Sequence, residues 1–374
     1  MSDTPPRIGV LVNNVGGYSR GVIRGIASFA TARGWECRTQ DVNATDLPLA
    51  RRKYDGLIIQ AGVADLQRLI SRVRGPVVNV SSAMQASPVP SVVTDDVAVG
   101  RIGADLFAQR GYRRAIFYSP DDRHFAALRH RGFVERLPFA ALCRTPAELK
   151  RALGQEHPPV GLMGCNDRAA LAALDLLRGL GREVPRHVAV LGVDNDDLMQ
   201  SLARPALSTI NTSKERIGFE AAALLERQML GERVGDEPVR IAPRGIILRR
   251  STDAVAVPDD AVAEALQFIE HDATRRVSVD DVAEHVTISR RQLERRFRQT
   301  LGRSIREELE RCRLDRARQL LLDTDLTLPQ VADASGFGSA SYFCTLFKAK
   351  TGGTPQELRR RFGGLDARNP DATG

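Results

Sequence analysis

The chain has 374 residues, a mass of 41.0 kDa and a formal net charge of +8. At roughly 150 residues per domain, this length predicts two or three domains. Five scattered cysteines without a C-x-x-C pair, and six histidines without H-x-x-x-H spacing, argue against disulfides, a metal site or a cofactor held by such residues. The polar N-terminus and the lack of a long apolar stretch favour a cytoplasmic protein with no membrane partner.

Strand-length apolar runs alternate with helical patterns from Ile8 to about Ile247. The predicted strands are Ile8–Val12, Gly56–Ile59, Val77–Val80, Ala115–Tyr118, Val160–Met163 and Val188–Leu191. The predicted helices are Ser19–Arg33, Gly100–Arg110, Asp167–Leu180 and Ser213–Leu230. About six strand-helix units are more than one sheet usually contains. The pattern therefore predicts an α/β region of two lobes, each with a parallel sheet covered by helices.

Four loops follow predicted strands, and ligands of open α/β sheets bind at the carboxyl ends of strands. These candidate ligand loops are 13–20, 94–96, 165–168 and 192–197. The first loop contains Asn13-Asn14 and Gly16-Gly17 but not G-x-G-x-x-G, so it does not indicate a dinucleotide site.

A helix-turn-helix pattern begins at Ser278, which precedes apolar residues at helical spacing and has Asp281 three positions later. Ser289 opens a second helix, whose buried face is formed by Leu293, Phe297 and Leu301. Arginines cover the rest of this helix, and their guanidinium groups suit phosphate oxygens and guanine edges. We expect Arg290, Arg291 and Arg295 to contact DNA.

The same pattern recurs at Thr327, breaks at Gly336 and starts a second helix at Ser339. Phe343 and Phe347 form the core face of that helix. Its outward residues are the further DNA-binding candidates: Ser339, Ser341, Thr345 and Lys348. A helical stretch from Ser304 to Asp323 joins the copies and spans roughly 30 Å at 1.5 Å per residue, close to one DNA turn of ~34 Å.

The distribution of charge supports a DNA partner better than the net charge does. From Asp253 onward there are 19 basic and 20 acidic residues, but Arg290 to Arg318 holds 11 arginines and 5 acidic residues. This local excess lies on the second helix of the first copy and the joining helix. A helical bundle used only for dimerisation would explain neither the repeat nor the arginine-covered helix.

The last hundred residues resemble the AraC/XylS family of bacterial transcription regulators. The resemblance rests on Ser289, Leu293 and Phe297 in the first copy and on the following motifs in the second: Gly336-Phe337, Ser341-Tyr342-Phe343, Phe347-Lys348, Gly352, Thr354-Pro355 and Leu358-Arg359. Thr345 and Leu358 depart from the family pattern, which usually has arginine and tyrosine at these positions. The resemblance implies sequence-specific binding of a double-stranded DNA operator.

The α/β region resembles the LacI/periplasmic-binding fold, in which two lobes close on a small ligand, often a sugar. The resemblance rests on Val93–Asp96, Arg129–Phe133, Cys165–Asp167, Val190–Asn195 and Ala206–Ile210. It implies ligand binding by Arg129, Asn166 and Asp194. From Phe133 to Val160 the chain is shorter than the resemblance implies for the usual strand and helix.

Seven residues are candidates for the ligand site: Tyr18, Arg20, Asp95, Phe125, Arg129, Asn166 and Asp194. A carboxylate and a guanidinium together suit vicinal sugar hydroxyls, because charge-assisted hydrogen bonds are stronger than neutral ones. Tyr18 or Phe125 would cover the apolar face of the sugar ring. Two alternatives stay open, namely that Asp194 only shapes a turn and that Arg129 is a solvated helix residue.

Together the two parts resemble the XylR-type family of xylose-operon activators. The resemblance implies D-xylose as the first choice of effector and another pentose as the second, with RNA polymerase as a partner and a homodimer formed through the sensor domain. The alternatives are a response to another sugar, action as a repressor and, more remotely, a sugar-processing enzyme with a DNA-binding appendage. Because no nucleophile-base pair, Walker loop or zinc spacing is present, we expect no enzyme activity.

The expected domains follow from these resemblances and from composition. Residues 1–253 form the ligand-sensing and dimerisation domain, and 254–262 form a linker. Residues 263–362 form the DNA-binding domain, with helix-turn-helix motifs at 278–301 and 327–352. The Gly-, Asp- and Pro-rich residues 363–374 are expected to be a disordered tail.

Overall fold

The structure is a computed structural model that describes residues 5–13, 16–41, 54–60, 75–155, 159–253, 259–272 and 276–362. Most of the expected linker and all of the expected tail lie outside these residues, as does Asn14 of the first candidate ligand loop. The predicted fold class is confirmed, because a two-lobed α/β region precedes an all-α region.

The α/β region contains twelve strands and seven helices among the described residues. The strands are β1 (Arg7–Val12), β2 (Glu36–Asp41), β3 (Gly56–Ile59), β4 (Val77–Asn79), β5 (Val92–Thr94), β6 (Ala115–Tyr118), β7 (Ala141–Cys143), β8 (Val160–Gly164), β9 (Val188–Val193), β10 (Ser208–Asn211), β11 (Val239–Ile241) and β12 (Gly245–Ile247). The helices are α1 (Gly17–Arg33), α2 (Asp96–Gln109), α3 (His124–Arg136), α4 (Pro146–Gln155), α5 (Asp167–Gly179), α6 (Asp197–Leu202) and α7 (Lys214–Met229).

Two separate sheets give the two lobes. The first lobe has a parallel sheet in the order β2-β1-β3-β4, and the second has a sheet in the order β12-β10-β9-β8-β6-β7 in which only β12 is antiparallel to its neighbour. Strands β3, β6, β8 and β9 are buried along their whole length. Their aliphatic sequences are therefore those of strands covered on both faces.

The chain crosses between the lobes three times. Strand β5 pairs with β11 in the first lobe, whereas α2, which follows β5, packs in the core of the second lobe. Helix α7 returns the chain to the first-lobe core, and β12 takes it back to the second sheet. These crossings place the ends of β1, β5, β8 and β9 around one cleft, which positions the candidate ligand loops together.

Two pairs of helices approach each other at glycines. A Cβ on Gly100 of α2 would lie 1.9 Å from the carbonyl oxygen of Arg129, and one on Gly132 of α3 would lie 2.0 Å from that of Val97. The helices α1 and α7 meet in the same way at Gly25 and Gly218. Because a side chain larger than hydrogen would collide with backbone there, each pair can pack this closely only with glycine at the contact.

The all-α region has seven described helices. They are α8 (Asp260–Asp272), α9 (Val279–His285), α10 (Arg290–Leu301), α11 (Ile305–Asp323), α12 (Leu328–Ala334), α13 (Ala340–Thr351) and α14 (Pro355–Phe362). One core holds α8 to α10 with the start of α11, and a second holds the end of α11 with α12 to α14. The two helix-turn-helix units thus share α11, which is about 28 Å long at 1.5 Å per residue.

The predicted helix starts of this region are confirmed. Ser278 with Asp281 and Thr327 with Gln330 form capping boxes, and the side chain of Ser289 accepts a hydrogen bond from the Gln292 N–H. The turn at Gly336 has a φ of 79°, a conformation that glycine adopts without strain. Local hydrogen bonding therefore defines both repeats.

The region between Phe133 and Val160, whose structure the sequence left open, contains both a strand and a helix. The structure places the three-residue strand β7 and the ten-residue helix α4 there. β7 pairs with β6 in parallel at the edge of the second sheet. β7 is only three residues long and not fully buried, so its pattern is weaker than that of the buried central strands.

Candidate functional site

The cleft between the lobes encloses a cavity of about 200 Å³. Its walls come from both lobes and include most of the candidate ligand residues. The lining residues include Tyr18, Ser82, Arg123, Phe125, Arg129, Asn166, Asp194 and Asp196. Five of the seven sequence candidates are thus brought together, and Arg20 and Asp95 are the two that do not line this cavity.

Arg129 is the centre of the polar wall. Its side chain is 4% exposed, and its Nε donates to Asp96 Oδ1 at 2.8 Å. Its two terminal nitrogens donate to the carbonyl oxygen of Cys165 at 2.6 Å and to Asp194 Oδ1 at 3.4 Å. Burial would lower the pKa of Arg129, but the carboxylates of Asp96 and Asp194 raise it above its ordinary value. The guanidinium is therefore a fixed cation in the cleft and not a solvated helix residue.

Asp194 presents a carboxylate to the cavity from a strained turn. It has a φ of 101° and the next residue, Asn195, has a φ of 47°. The Lys214 ammonium donates to the carbonyl oxygens of both residues, at 2.8 and 2.7 Å. The turn interpretation and the ligand interpretation of Asp194 are thus compatible, because the turn is what aims the carboxylate at the cleft.

Aromatic side chains form the apolar part of the wall. The Tyr18 hydroxyl donates to the carbonyl oxygen of Val80 at 2.7 Å, and burial raises its pKa, so it remains a neutral donor. The Phe125 ring is contacted by the guanidinium carbons of Arg123 at 5.0 Å and of Arg129 at 4.9 Å from its centroid. These cation–π contacts fix the Phe125 ring beside the polar wall.

Two candidate residues act as helix caps beside the cleft. Asn166 accepts a hydrogen bond from the Ala169 N–H at 2.8 Å at the start of α5, and its side chain also lines the cavity. Asp95 accepts from the Ala98 N–H at 3.0 Å at the start of α2. The neighbouring Asp96, which lies in the candidate loop 94–96 but was not among the seven candidates, is the residue that pairs with Arg129. Side chains at adjacent positions of a helix point about 100° apart. The Asp95 carboxylate therefore caps α2, whereas the Asp96 carboxylate reaches Arg129.

Arg20 joins the two lobes instead of lining the cavity. Its guanidinium lies 2.5 Å from Asp196 Oδ1, and the other oxygen of Asp196 accepts from the Gly17 N–H at 2.8 Å. A Cβ on Gly17 would lie 2.4 Å from the Asp196 carboxyl carbon. Asp196 thus fastens the start of α1 in the first lobe to the loop after β9 in the second. Asp196 lies in the candidate ligand loop 192–197, but the sequence did not indicate its partners, because they are far away in the chain.

The arginines of α10 divide into paired and unpaired groups. Arg290 donates to Asp280 and Glu294, each at 3.1 Å, so its guanidinium is already held within the protein. Arg291 and Arg295 are exposed, and within the described part of the chain neither has a carboxylate within ion-pair distance. Arg291, Arg295 and the likewise exposed Arg298 are therefore available for an anionic partner.

The outward face of α13 is less basic. Ser339 caps the helix by accepting from the Tyr342 N–H, and the Thr345 hydroxyl donates to the carbonyl oxygen of Ser341 at 3.0 Å. Lys348 is exposed in the last turn. Lys348 is the charged residue among the four sequence candidates on this helix. The Thr345 hydroxyl already donates a hydrogen bond within its own helix.

Within the described residues, no group of three or more His, Cys, Asp or Glu side chains has the geometry to hold a metal ion. The helices that the structure describes also include none long and apolar enough to cross a membrane.

Comparisons with known proteins match the two parts of the chain to two families. Residues 104–252 match the periplasmic binding protein-like domain, and residues 282–361 match a helix-turn-helix domain. The xylose operon regulatory protein of Haemophilus influenzae is 26% identical over 96% of this chain and 99% of its own length. The protein of the same name from Escherichia coli K12 is 28% identical over 94% of this chain and 96% of its own length.

A solved structure of the xylose-binding transcription activator xylR superposes with a TM-score of 0.60 at 27% identity. The superposition covers 97% of this chain and 100% of that one, so the similarity includes both domains and their order. Over nearly its whole length the chain is therefore similar to transcription regulators of xylose genes, with a periplasmic binding protein-like domain that precedes a helix-turn-helix domain.

Proposed function

We propose that this protein is a sugar-responsive transcription regulator that activates genes of D-xylose catabolism. The effector binds in the cleft between the lobes, and operator DNA binds along α10 and α13. The observation that carries the proposal is the similarity of nearly the whole chain to two xylose operon regulatory proteins, combined with a cleft that offers a fixed guanidinium beside a carboxylate.

The cleft supplies the groups that a pentose needs. Asp194 accepts hydrogen bonds from two hydroxyls, the Arg129 guanidinium donates, and Asn166 contributes its amide. Tyr18 and Phe125 lie against the apolar face of the sugar ring. Because these residues come from both lobes, the sugar favours the closed arrangement of the cleft over an open one.

The DNA-binding face is divided unequally between the two repeats. Arg291 and Arg295 of α10 read base edges, and Lys348 of α13 contacts phosphate. The residues that contacting side chains lie next to, or are oriented by, are Arg290, Ser339, Ser341 and Thr345. The protein acts in the cytoplasm as a homodimer through its sensor domain, works with RNA polymerase and catalyses no reaction on the sugar.

Titration calorimetry of the full chain with D-xylose tests the effector, with L-arabinose and D-ribose as matched pentoses. We expect one D-xylose site per chain and weaker heat with the other two. Stronger binding of another pentose would assign a different effector to the same site. A turnover assay on the three pentoses tests the enzyme alternative, and formation of a product would contradict the regulator-only function.

A further inference from the structure

A buried ion pair joins the sensor domain to the DNA-binding domain. Arg110, directly after α2, is 3% exposed and donates from Nε and Nη2 to the two carboxylate oxygens of Glu270, at 3.1 and 2.7 Å. Glu270 lies on α8, and its side chain is 11% exposed. A bidentate pair of this kind allows little relative movement of its partners without loss of a hydrogen bond.

Further contacts surround this pair. Arg303, which precedes α11, donates to the carbonyl oxygen of Gln109 at 2.7 Å and to the fully buried Glu308 at 2.5 Å. Arg311 also donates to Glu308, at 2.6 Å. The last turn of α2 is thus held by charged groups of both α8 and the α10–α11 connection.

The other end of α2 lies in the ligand cleft. Asp96, the first residue of α2, is 1% exposed, accepts from Arg129 and also from the Ser82 hydroxyl. Helix α2 has 14 residues and connects Asp96 to Arg110 over about 21 Å at 1.5 Å per residue. One unbroken helix therefore has the cleft at its start and the DNA-binding domain at its end.

Helix α3, which provides Arg129 and Phe125 to the cleft, cannot move independently of α2. The backbones of the two helices touch at Gly100 and Gly132, where there is no space even for a Cβ. A shift of Arg129 toward a ligand must therefore displace α2 as well, because close-packed interiors transmit displacement and do not absorb it.

Displacement of α8 would reach the base-reading helix directly. Leu266 and Ile269 of α8 are fully buried with Leu293 and Phe297 of α10 in one apolar core. Because α10 carries Arg291 and Arg295 on its opposite, exposed face, any rotation of α8 alters how these arginines are presented to DNA.

We propose that α2 and α3 form a lever that passes the state of the cleft to α10, and that Arg110 and Glu270 are positioning residues at its joint. This inference rests on the proposed function for the ligand that moves the lever. In this proposal the state of the cleft reaches the DNA-binding domain through α2 and α3. It does not depend on residues 249–260, which connect the two domains covalently.

Hydrogen exchange of the full chain, with and without D-xylose, tests the lever. In the wild type we expect the sugar to change exchange both around Asp194 and in α8 and α10. In Glu270→Gln, which keeps the shape of the side chain but removes its charge, the change around Asp194 should remain and the change in α8 and α10 should be lost. Equal sugar effects on α8 and α10 in this variant and the wild type would overturn the proposal.

Glu135→Gln is the matched control. Glu135 accepts from Arg101 at 2.6 Å on the exposed side of the same α2–α3 pair and does not reach the DNA-binding domain. This variant should respond to D-xylose as the wild type does. If Glu270→Gln unfolds, the double variant Arg110→Met/Glu270→Leu replaces the pair by apolar groups, which buried sites tolerate better than a single uncompensated charge.

DNA affinity supplies a second readout. The probe is a duplex selected from random-sequence DNA by the sugar-saturated wild type. Coupled sites commonly change affinity by about 5- to 150-fold, and we expect such a change with D-xylose in the wild type. In Glu270→Gln the change should fall to about twofold or less, with the calorimetric affinity for D-xylose preserved. An unaltered D-xylose effect on DNA affinity would contradict the lever.

Single and double variants of Asp96 and Glu270 test the lever in the sugar-free protein, independently of which sugar is the effector. Asp96→Asn loosens the cleft end of α2, and we expect it to change exchange in α8 and α10 of the sugar-free protein. Adding Glu270→Gln should abolish that change if the joint transmits it. Independent, additive effects would overturn the lever even if D-xylose binds, whereas absence of any pentose binding would refute only the proposed function.

Discussion

Each wall of the cleft depends on single residues whose side chains are fixed by partners outside the cavity. Arg129 is held by Asp96 and by the carbonyl oxygen of Cys165, and Lys214 fixes the backbone of Asp194. Asp194 also lines the cavity, so its carboxylate is fixed beside the space that the proposed ligand would occupy. A site preorganised in this way would lose little entropy when a ligand binds.

Asp194→Asn should weaken D-xylose binding by about 1.5–3 kcal/mol, the range for a hydrogen bond to a charged group. Asparagine tolerates a positive φ better than most residues do, so this change tests the carboxylate and not the turn. Titration calorimetry measures the loss. Asp175→Asn, an exposed change in the same lobe, is the control. Affinity equal to the wild type would reject the assignment of Asp194.

Arg291→Ala and Arg295→Ala should each cost about 1–3 kcal/mol in binding to specific DNA and should relax sequence preference. Both arginines are exposed on the face of α10 opposite Leu293. Fluorescence anisotropy against specific and random duplexes measures the effect. Equal losses on the two duplexes would refute base reading. Arg178→Ala, on the surface of the sensor domain, should leave DNA binding unchanged.

Lys348→Ala should weaken binding to all duplexes alike and lower the slope of log affinity against log salt by about one, because a phosphate contact releases one counterion. The exposed ammonium in the last turn of α13 motivates this expectation. A salt titration from low to physiological ionic strength provides the measurement. A loss confined to specific DNA would show that Lys348 reads bases instead.

Among the elements, the paired helices determine how rigid each lobe is. In both lobes two helices meet at glycines with backbone in contact, Gly25 with Gly218 and Gly100 with Gly132. A helix interior normally disfavours glycine by roughly 0.5–1 kcal/mol relative to alanine. The close approach offsets this cost, because it aligns the helices that carry the cleft residues.

Gly132→Ala should lower the free energy of unfolding by about 1–3 kcal/mol, the usual cost of overpacking. The added methyl would collide with the carbonyl oxygen of Val97, and backbone cannot move aside as a flexible side chain can. Gly154→Ala in α4 has no neighbouring atom within 4 Å and should be neutral or stabilising by up to about 1 kcal/mol. Urea denaturation compares the two variants, and equal stability would contradict the packing argument.

For the molecule as a whole, the proposed homodimer requires a contact surface on the sensor domain. The helix α6 exposes Leu198 and Leu202, one turn apart and 61% and 74% accessible, on the second lobe. Adjacent exposed leucines are typical of a contact surface between chains. One chain has two helix-turn-helix units that share α11, so pairing through the sensor domain would combine two such chains on DNA.

The double variant Leu198→Glu/Leu202→Glu should convert a dimer of the full chain to a monomer, because four buried charges would repel across the contact. Sedimentation equilibrium at micromolar concentration measures the change. Leu230→Glu replaces a leucine that is 76% exposed on the first lobe and should leave the dimer intact. If only the Leu230 variant dissociates, the contact lies on the other lobe.

The sequence alone determined the features that depend on neighbours within one helical turn. Ser278, Ser289 and Thr327 cap their helices as predicted, and the apolar spacing of Leu293 and Phe297 placed the basic face of α10 outward. Hydrogen bonds and side-chain contacts between positions three or four apart follow from helix geometry. For the same reason the two repeats and the long helix between them could be predicted.

Only the tertiary structure decided which polar residues meet across the chain. Arg129 pairs with Asp96 over 33 positions, Arg110 with Glu270 over 160, and the Gly17 N–H with Asp196 over 179. No local pattern encodes such partners, because their distance is set by how the lobes and domains pack. The choice of Asp96 over Asp95 likewise depended on where α2 begins, a one-residue difference that directs one carboxylate to Arg129 and the other to the helix cap.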